Sequence, residues 1–87
     1  MEPEESFGKA LRAVRKQRCL SQEQLAGDAG VERNYISLLE CGSSSPTIRV
    51  VFKLCAILGV PPSELLAQVE ELIQSNHEKQ QAKRHAG

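Results

Sequence analysis

Residues 20–40 read LSQEQLAGDAGVERNYISLLE, and this stretch predicts two short helices joined by a tight corner. Ser21 followed three residues later by Gln24 is the sequence form of a capping box, which begins a helix. Gly30 is placed to end that helix, because glycine adopts the left-handed conformation without strain. Helices this short are marginal on their own in water. We therefore expect the fixed angle between them to serve a purpose.

Outward from this stretch, apolar residues at helical spacing predict an all-α fold of five helices. The chain has 87 residues and is 40% hydrophobic but only 3% aromatic. Its core is therefore aliphatic, which favours packed helices over a sheet. We expect helices from about Ser6 to Arg18, from Ser21 to Gly30, from Glu32 or Arg33 to Glu40, from Thr47 to Gly59, and from Pro62 onward.

The composition indicates one small domain with polar ends. We expect residues 1–5 to form a flexible N-terminus and residues 6–75 to form the domain, whose last helix mediates dimerisation. The segment 76–87 is polar, and we expect it to be a disordered tail.

Charge is balanced in total but not along the chain, with 11 basic and 11 acidic side chains. Residues 6–53 hold eight basic and four acidic side chains, whereas the charges in Met1–Glu5 and Leu54–Glu78 are all acidic. One basic block contains no acid: Lys9, Arg12, Arg15, Lys16 and Arg18. Charge on one side is typical of nucleic-acid binding. A solvated helix face is the alternative.

The cysteines and histidines indicate neither a metal site nor an enzyme. Cys19, Cys41 and Cys55 lack the spacing of zinc ligands. Cys55 is expected in the core, and Cys41 is either an ordinary thiol or a redox-sensitive one. Both histidines, His77 and His85, lie in the polar tail, and no catalytic set is present. We expect no metal, cofactor or small-molecule ligand.

Nothing in the sequence predicts export or membrane insertion. Residues 1–6 are acidic and lack an apolar core, and no apolar run approaches the length of a membrane span. We expect a cytoplasmic protein with reduced thiols and no membrane partner.

The third helix presents side chains suited to reading DNA bases. If Ile36 and Leu39 point inward, a second set lines the opposite face. Arginine can donate twice to guanine, asparagine can pair with adenine, and leucine can touch a thymine methyl. An ordinary exposed leucine is the alternative for the last contact. The candidate base-reading residues are Arg33, Asn34, Ser37 and Leu38.

These residues resemble the XRE-like, phage-repressor-type helix-turn-helix family, from about Phe7 to Leu66. The segments that carry the resemblance are LSQEQLAGDAGVERNYISLLECG and LCAILGVPPSELL. Within that family, ERNYIS is similar to the controller proteins of restriction–modification systems. The resemblance implies a DNA-binding domain whose third helix enters the major groove while the second braces it across the backbone.

The resemblance also implies residues that contact phosphate and one structural ion pair. Gln22 matches the position that grips a phosphate, at a helix N-terminus that favours anions. Tyr35 is either a backbone contact or a cover for the core edge. The phosphate candidates are Gln22, Tyr35, Ser43 and Ser44, and the ion pair is Arg15 with Glu40. The sequence departs from the family at two places: Glu32 caps the third helix, and the loop after that helix lacks basic residues. These departures imply that each single domain binds DNA with modest affinity.

The fifth helix predicts a homodimer. Its apolar stripe is longer than a small core is expected to absorb, and Val69, Leu72 and Ile73 are expected to project beyond it. The alternative is that this helix folds back and buries every apolar side chain within one chain. The predicted interface is Leu65, Leu66, Val69, Leu72 and Ile73.

The function predicted from these features is sequence-specific regulation of transcription. A homodimer would bind double-stranded DNA at an inverted repeat, with the helix at 32–40 in the major groove. The alternative is an antitoxin-like or anti-repressor module whose main partner is another protein.

Overall fold

Five helices build the chain in the computed structural model, which describes the backbone of residues 2–86 and the side chains of residues 2–75. No strand occurs within that backbone range, so the prediction of an all-α fold is confirmed. The helices are α1 (Pro3–Gln17), α2 (Gln22–Ala29), α3 (Arg33–Glu40), α4 (Ile48–Leu58) and α5 (Pro62–Ala86). The predicted disordered tail, 76–87, falls outside the described side chains and stays a prediction.

The first helix begins about one turn earlier than the sequence analysis predicted. It starts at Pro3 rather than near Ser6, and Glu4 and Glu5 lie in its first turn. Proline suits a first helical position because its missing N–H has no helical partner there. Carboxylates are favourable beside the positive end of the helix dipole. Residues 3–5, expected to be flexible, are therefore the first turn of α1.

The predicted caps of the short helices are present. The Ser21 hydroxyl accepts the Gln24 N–H at 3.0 Å, and the Gln24 side-chain oxygen accepts the Ser21 N–H at 2.8 Å. Gly30 ends α2 in the left-handed conformation, with φ of 69°. Thr47 caps α4 by accepting the Val50 N–H. The local sequence therefore sets where the helix pair starts and stops.

The core lies where α1 meets α3 and α5, with α4 packed against α2 and α5. All five helices contribute buried side chains to it. Its largest fully buried members include Leu11, Leu25, Ile36, Leu39, Leu54, Leu58 and Leu65. The core is aliphatic, as the composition predicts.

Val69, Leu72 and Ile73 of α5 are expected to project beyond the core, and for Val69 this expectation is wrong. Leu65 and Val69 are buried within the chain, and Leu72 and Ile73 are half-buried against the same core. The reason is that α5 folds back along α1. Among the five residues of the predicted interface, only Leu66 is exposed. The stripe therefore packs largely against the core of its own chain, and the predicted dimer interface stays a prediction.

No single helix among the described residues is long and apolar enough to cross a membrane. Residues 48–58 and 62–75 reach that length and composition only as a pair bent by 108°.

Ser6 is buried in α1, and its hydroxyl has no hydrogen-bond partner among the residues that the structure describes. Removing an unsatisfied buried hydroxyl relieves its desolvation cost, so we expect Ser6→Ala to raise the free energy of unfolding by about 1 kcal/mol. Urea unfolding measures this change. Ser45→Ala, at an exposed loop position, is the control and should change stability little. A loss of stability in Ser6→Ala would mean that the hydroxyl is bonded.

Candidate DNA-binding surface

The corner between α2 and α3 is fixed by backbone hydrogen bonds and by apolar side chains. After Gly30 the Val31 N–H donates to the Ala26 carbonyl at 3.0 Å, which closes the end of α2. Ile36 and Leu39 of α3 are fully buried, as their spacing predicts. The position of α3 is therefore set by the core, and its opposite face is left to contact a ligand.

The outer face of α3 carries the four side chains predicted to read bases. Arg33 and Asn34 are exposed at its first turn, and Ser37 is half-buried one turn later. Leu38 is 37% exposed. The chain enters α3 through Glu32, whose side chain makes no capping bond. The four residues thus lie on α3 away from its buried side, and Arg33 and Asn34, which carry the most hydrogen-bond donors, lie at its start.

A buried ion pair holds the far end of α3 to α1. Arg15 Nε donates to Glu40 Oε2 at 2.6 Å, and Arg15 Nη2 donates to Glu40 Oε1 at 3.0 Å. The third donor, Nη1, reaches the Leu20 carbonyl at 2.7 Å. The two side chains are only 9% and 4% exposed. The hydrogen bonds that Arg15 donates to the Glu40 carboxylate raise the pKa of Arg15 above its ordinary value. The structure therefore brings together the two residues expected to pair.

Gln22 joins the same carboxylate from α2. Its Nε2 donates to Glu40 Oε1 at 3.0 Å, so Glu40 connects α1, α2 and α3. Gln22 is half-buried at the first turn of α2, and its amide keeps a second hydrogen for a phosphate. The contact with Glu40 fixes the amide before any ligand arrives.

The loop after α3 is closed by its own backbone. The Ser43 and Ser44 N–H groups both donate to the Leu38 carbonyl, at 2.9 and 3.3 Å. The Ser43 hydroxyl lies 3.1 Å from Cys41 Sγ, and this hydrogen bond lowers the pKa of Cys41 below its ordinary value. A phosphate contact by these serines would therefore use their hydroxyl groups.

Tyr35 is half-buried and packs against the core. This position favours a role in covering the core edge.

Some basic side chains of the block on α1 make contacts within the fold, and the others remain available to a ligand. Arg15 is committed to Glu40, and Arg18 Nε donates to the Leu58 carbonyl at the end of α4, at 2.7 Å. Lys9, Arg12 and Lys16 are exposed and form no ion pair among the described residues. The positive charge that remains for a phosphate backbone is smaller than the sequence implies.

Gly8 is a site residue that the sequence analysis missed. A Cβ built there would lie 2.5 Å from the Glu40 carbonyl oxygen and would also meet the Leu39 carbonyl oxygen. The backbone of α1 therefore touches the last turn of α3. A glycine inside a predicted helix was the signal, because that position costs helix stability and usually needs a packing reason.

The described residues hold no cluster of His, Cys, Asp or Glu able to bind a metal ion. Cys55 is buried in the core, and burial raises the pKa of its thiol. Cys19 and Cys41 are exposed and free.

Comparisons with known proteins agree with this geometry. Residues 8–71 match the helix-turn-helix domain family. Over 64 residues, 74% of this chain, the sequence is 38% identical to the cryptic phage CTXphi transcriptional repressor RstR of Vibrio cholerae, and the match spans 58% of that protein. It is 35% identical to the control protein C.MunI of a Mycoplasma species, covering 75% of this chain and 89% of that one.

A solved structure has the same architecture. The restriction-modification controller protein C.AhdI from Aeromonas hydrophila superposes with a TM-score of 0.68 and is 36% identical. The superposition covers 70% of this chain and 92% of C.AhdI.

Proposed function

This chain belongs to the helix-turn-helix domain family, and from that premise we propose that it regulates transcription by binding a specific double-stranded DNA site. The family is a class of regulators and not of enzymes. The relatives named above are a repressor and two controller proteins, which supports the same function. A regulator of this kind would act in the cytoplasm, where bacterial DNA lies.

The observation that carries the proposal is the exposed start of α3. In a helix-turn-helix domain the second helix of the pair enters the major groove with its N-terminal residues toward the base edges. Arg33 and Asn34 occupy those positions here and are exposed. The Arg15–Glu40 pair fixes the other end of the same helix. Arg33 would read guanine and Asn34 adenine, with Ser37 and Leu38 as further contacts.

Gln22, Ser43 and Ser44 would position the domain on the phosphate backbone. They lie before and after α3 in the chain, at the start of α2 and in the loop that follows α3. Contacts of this kind set register and carry no sequence information. The shortage of basic residues in the loop predicts weak binding by a single domain.

Two copies are therefore proposed to bind together at an inverted repeat. One helix with four reading side chains discriminates among few base pairs. A two-fold dimer would present two copies of α3 about 34 Å apart and so favour half-sites about 10 base pairs apart.

Arg33→Ala tests the reading function. We expect this substitution to weaken the free energy of binding by about 1–3 kcal/mol on a duplex that carries the specific site, and by little on a random duplex. Gln22→Ala is the comparison and should weaken both complexes alike, because a phosphate contact is blind to sequence. Fluorescence anisotropy with two labelled duplexes measures all four affinities. An equal loss on both duplexes for Arg33→Ala would assign it to phosphate instead.

A further inference from the structure

The residue before α3 is an exposed glutamate whose carboxylate the fold does not use. Glu32 is the N-cap of α3, in an extended conformation with φ of −76° and ψ of 144°, and its side chain accepts no capping hydrogen bond. It forms no ion pair among the residues that the structure describes. The next two residues, Arg33 and Asn34, are exposed as well. The carboxylate therefore lies at the same end of α3 as the proposed base-reading side chains and is free to meet a ligand.

The stability of α3 does not call for a glutamate at this position. Serine, threonine, aspartate and asparagine cap a helix better, because their short side chains reach the free N–H groups of the first turn. Ser21 and Thr47, the N-caps of α2 and α4, are of this kind and make that bond. Glu32 gains only its attraction to the positive end of the helix dipole, which aspartate would gain as well. The glutamate therefore needs a reason outside the fold.

A carboxylate at the start of α3 also opposes the binding of DNA unless a base compensates for it. In the proposed complex this end of α3 enters the major groove, which phosphate backbones flank on both sides. Affinity for the phosphates comes from positive charge on the protein, so an unpaired anion in the groove weakens every complex alike. A donor on a base edge removes this cost, because hydrogen bonds to an ionised acceptor are stronger than neutral ones.

Among the base edges in the major groove, that of cytosine suits a carboxylate best. Guanine presents two acceptors, and thymine presents an acceptor and a methyl group, so neither base offers a donor. Adenine presents an amino group beside the N7 acceptor, which would repel the second carboxylate oxygen. Cytosine presents its N4 amino group and no acceptor. The chemistry of the edges therefore favours cytosine as the partner of Glu32.

We propose that Glu32 accepts a hydrogen bond from the N4 amino group of a cytosine in each half-site of the specific DNA. This inference rests on the proposed function and adds a reading residue that precedes α3. Arg33 donates to a guanine and Glu32 accepts from a cytosine, so the two neighbouring side chains both favour G·C pairs. Glu32 also acts against other sequences, because a half-site without this cytosine leaves the carboxylate unpaired near the phosphates.

Parallel selections from a random duplex pool with the wild type, Glu32→Ala and Glu32→Gln test this assignment. We expect the wild type to enrich cytosine at one position of each half-site. Glu32→Ala should lose that preference and keep the guanine read by Arg33. Glu32→Gln should shift the preference from cytosine to adenine, because a glutamine amide pairs with adenine N6 and N7. Asp28→Ala is the matched control, since it removes the same charge from an exposed position of α2 and should keep every preference.

A duplex with N4-methylcytosine at the enriched position tests the contact itself. One amino hydrogen of cytosine pairs with guanine, and the methyl group replaces the other hydrogen, which faces the major groove. We expect this methyl group to weaken binding by the wild type about tenfold or more and to leave the affinity of Glu32→Ala unchanged. Fluorescence anisotropy with the methylated and unmethylated duplexes measures the four affinities. An equal loss in both proteins would overturn the contact.

Glu32→Ser separates the reading of a base from the capping of the helix. The serine hydroxyl is a good N-cap, so urea unfolding should show a stability equal to or above that of the wild type, while the cytosine preference is lost. A Glu32→Ala variant that keeps the preference would overturn this inference and leave the proposed function standing. A wild type that enriches no site would contradict the proposed function, and this inference with it.

Discussion

Glu40→Gln is expected to lower the free energy of unfolding by about 3 kcal/mol, within the range seen when one partner of a buried ion pair is removed. The cause is the guanidinium of Arg15, which is almost fully buried and would lose its counter-charge. Gln22 would lose the charged acceptor of its side-chain bond as well. Urea unfolding followed by circular dichroism measures the change. Because Glu40 ends α3, we also expect weaker binding to the specific DNA site.

The double variant Arg15→Met with Glu40→Leu is the control for this prediction. It removes both charges and fills the space with apolar side chains, so neither charge is stranded. We expect it to recover most of the stability that Glu40→Gln loses. If both variants were equally unstable, the loss would come from packing and not from a stranded charge.

Gly8→Ala is expected to lower the free energy of unfolding by about 3 kcal/mol, at the upper end of the usual penalty for overpacking a core. The added methyl group would meet two backbone carbonyls of α3, which cannot rotate away as a side chain can. The helices α1 and α3 must then move apart, and this motion would also stretch the Arg15–Glu40 contact. A fall in the urea midpoint, with DNA affinity reduced in parallel, is the expected result.

Gly27→Ala is the matched control in the same domain. Gly27 lies inside α2, and a Cβ there would meet none of the described atoms within 4 Å. Alanine is the better helix former, so the free energy of unfolding of this variant should rise by about 0.5–1 kcal/mol. Equal losses in the two variants would mean that the contact of Gly8 with α3 is not what requires glycine.

The parts of the fold that the sequence predicts are those encoded in neighbouring residues. The capping box of Ser21 and Gln24 and the left-handed end at Gly30 depend on a few adjacent positions, so they are visible without the tertiary structure. The same holds for the two faces of α3, because Ile36 and Leu39 fix which side is buried. The start of α1 is also encoded locally, because Pro3 and the two glutamates that follow it favour the first turn of a helix.

The features of the fold that could not be predicted depend on tertiary packing, that is, on which helix lies against which face of another helix. Spacing shows that Leu65, Val69 and Leu72 share one side of α5, but it does not show that α1 lies against that side. The reverse holds for Ile48, whose spacing fits the buried stripe of α4 although it is largely exposed. The close contact of Gly8 with α3 is likewise set by packing between distant segments.

Selection of bound sites from a pool of random duplexes tests the central claim, that this chain reads DNA sequence through α3. The account predicts that the wild type enriches one two-fold-symmetric site with half-sites about 10 base pairs apart. It also predicts that Arg33→Ala, selected in parallel, relaxes the preference at one position in each half-site. A pool that stays random with the wild type, or an enriched site that Arg33→Ala leaves unchanged, would contradict it.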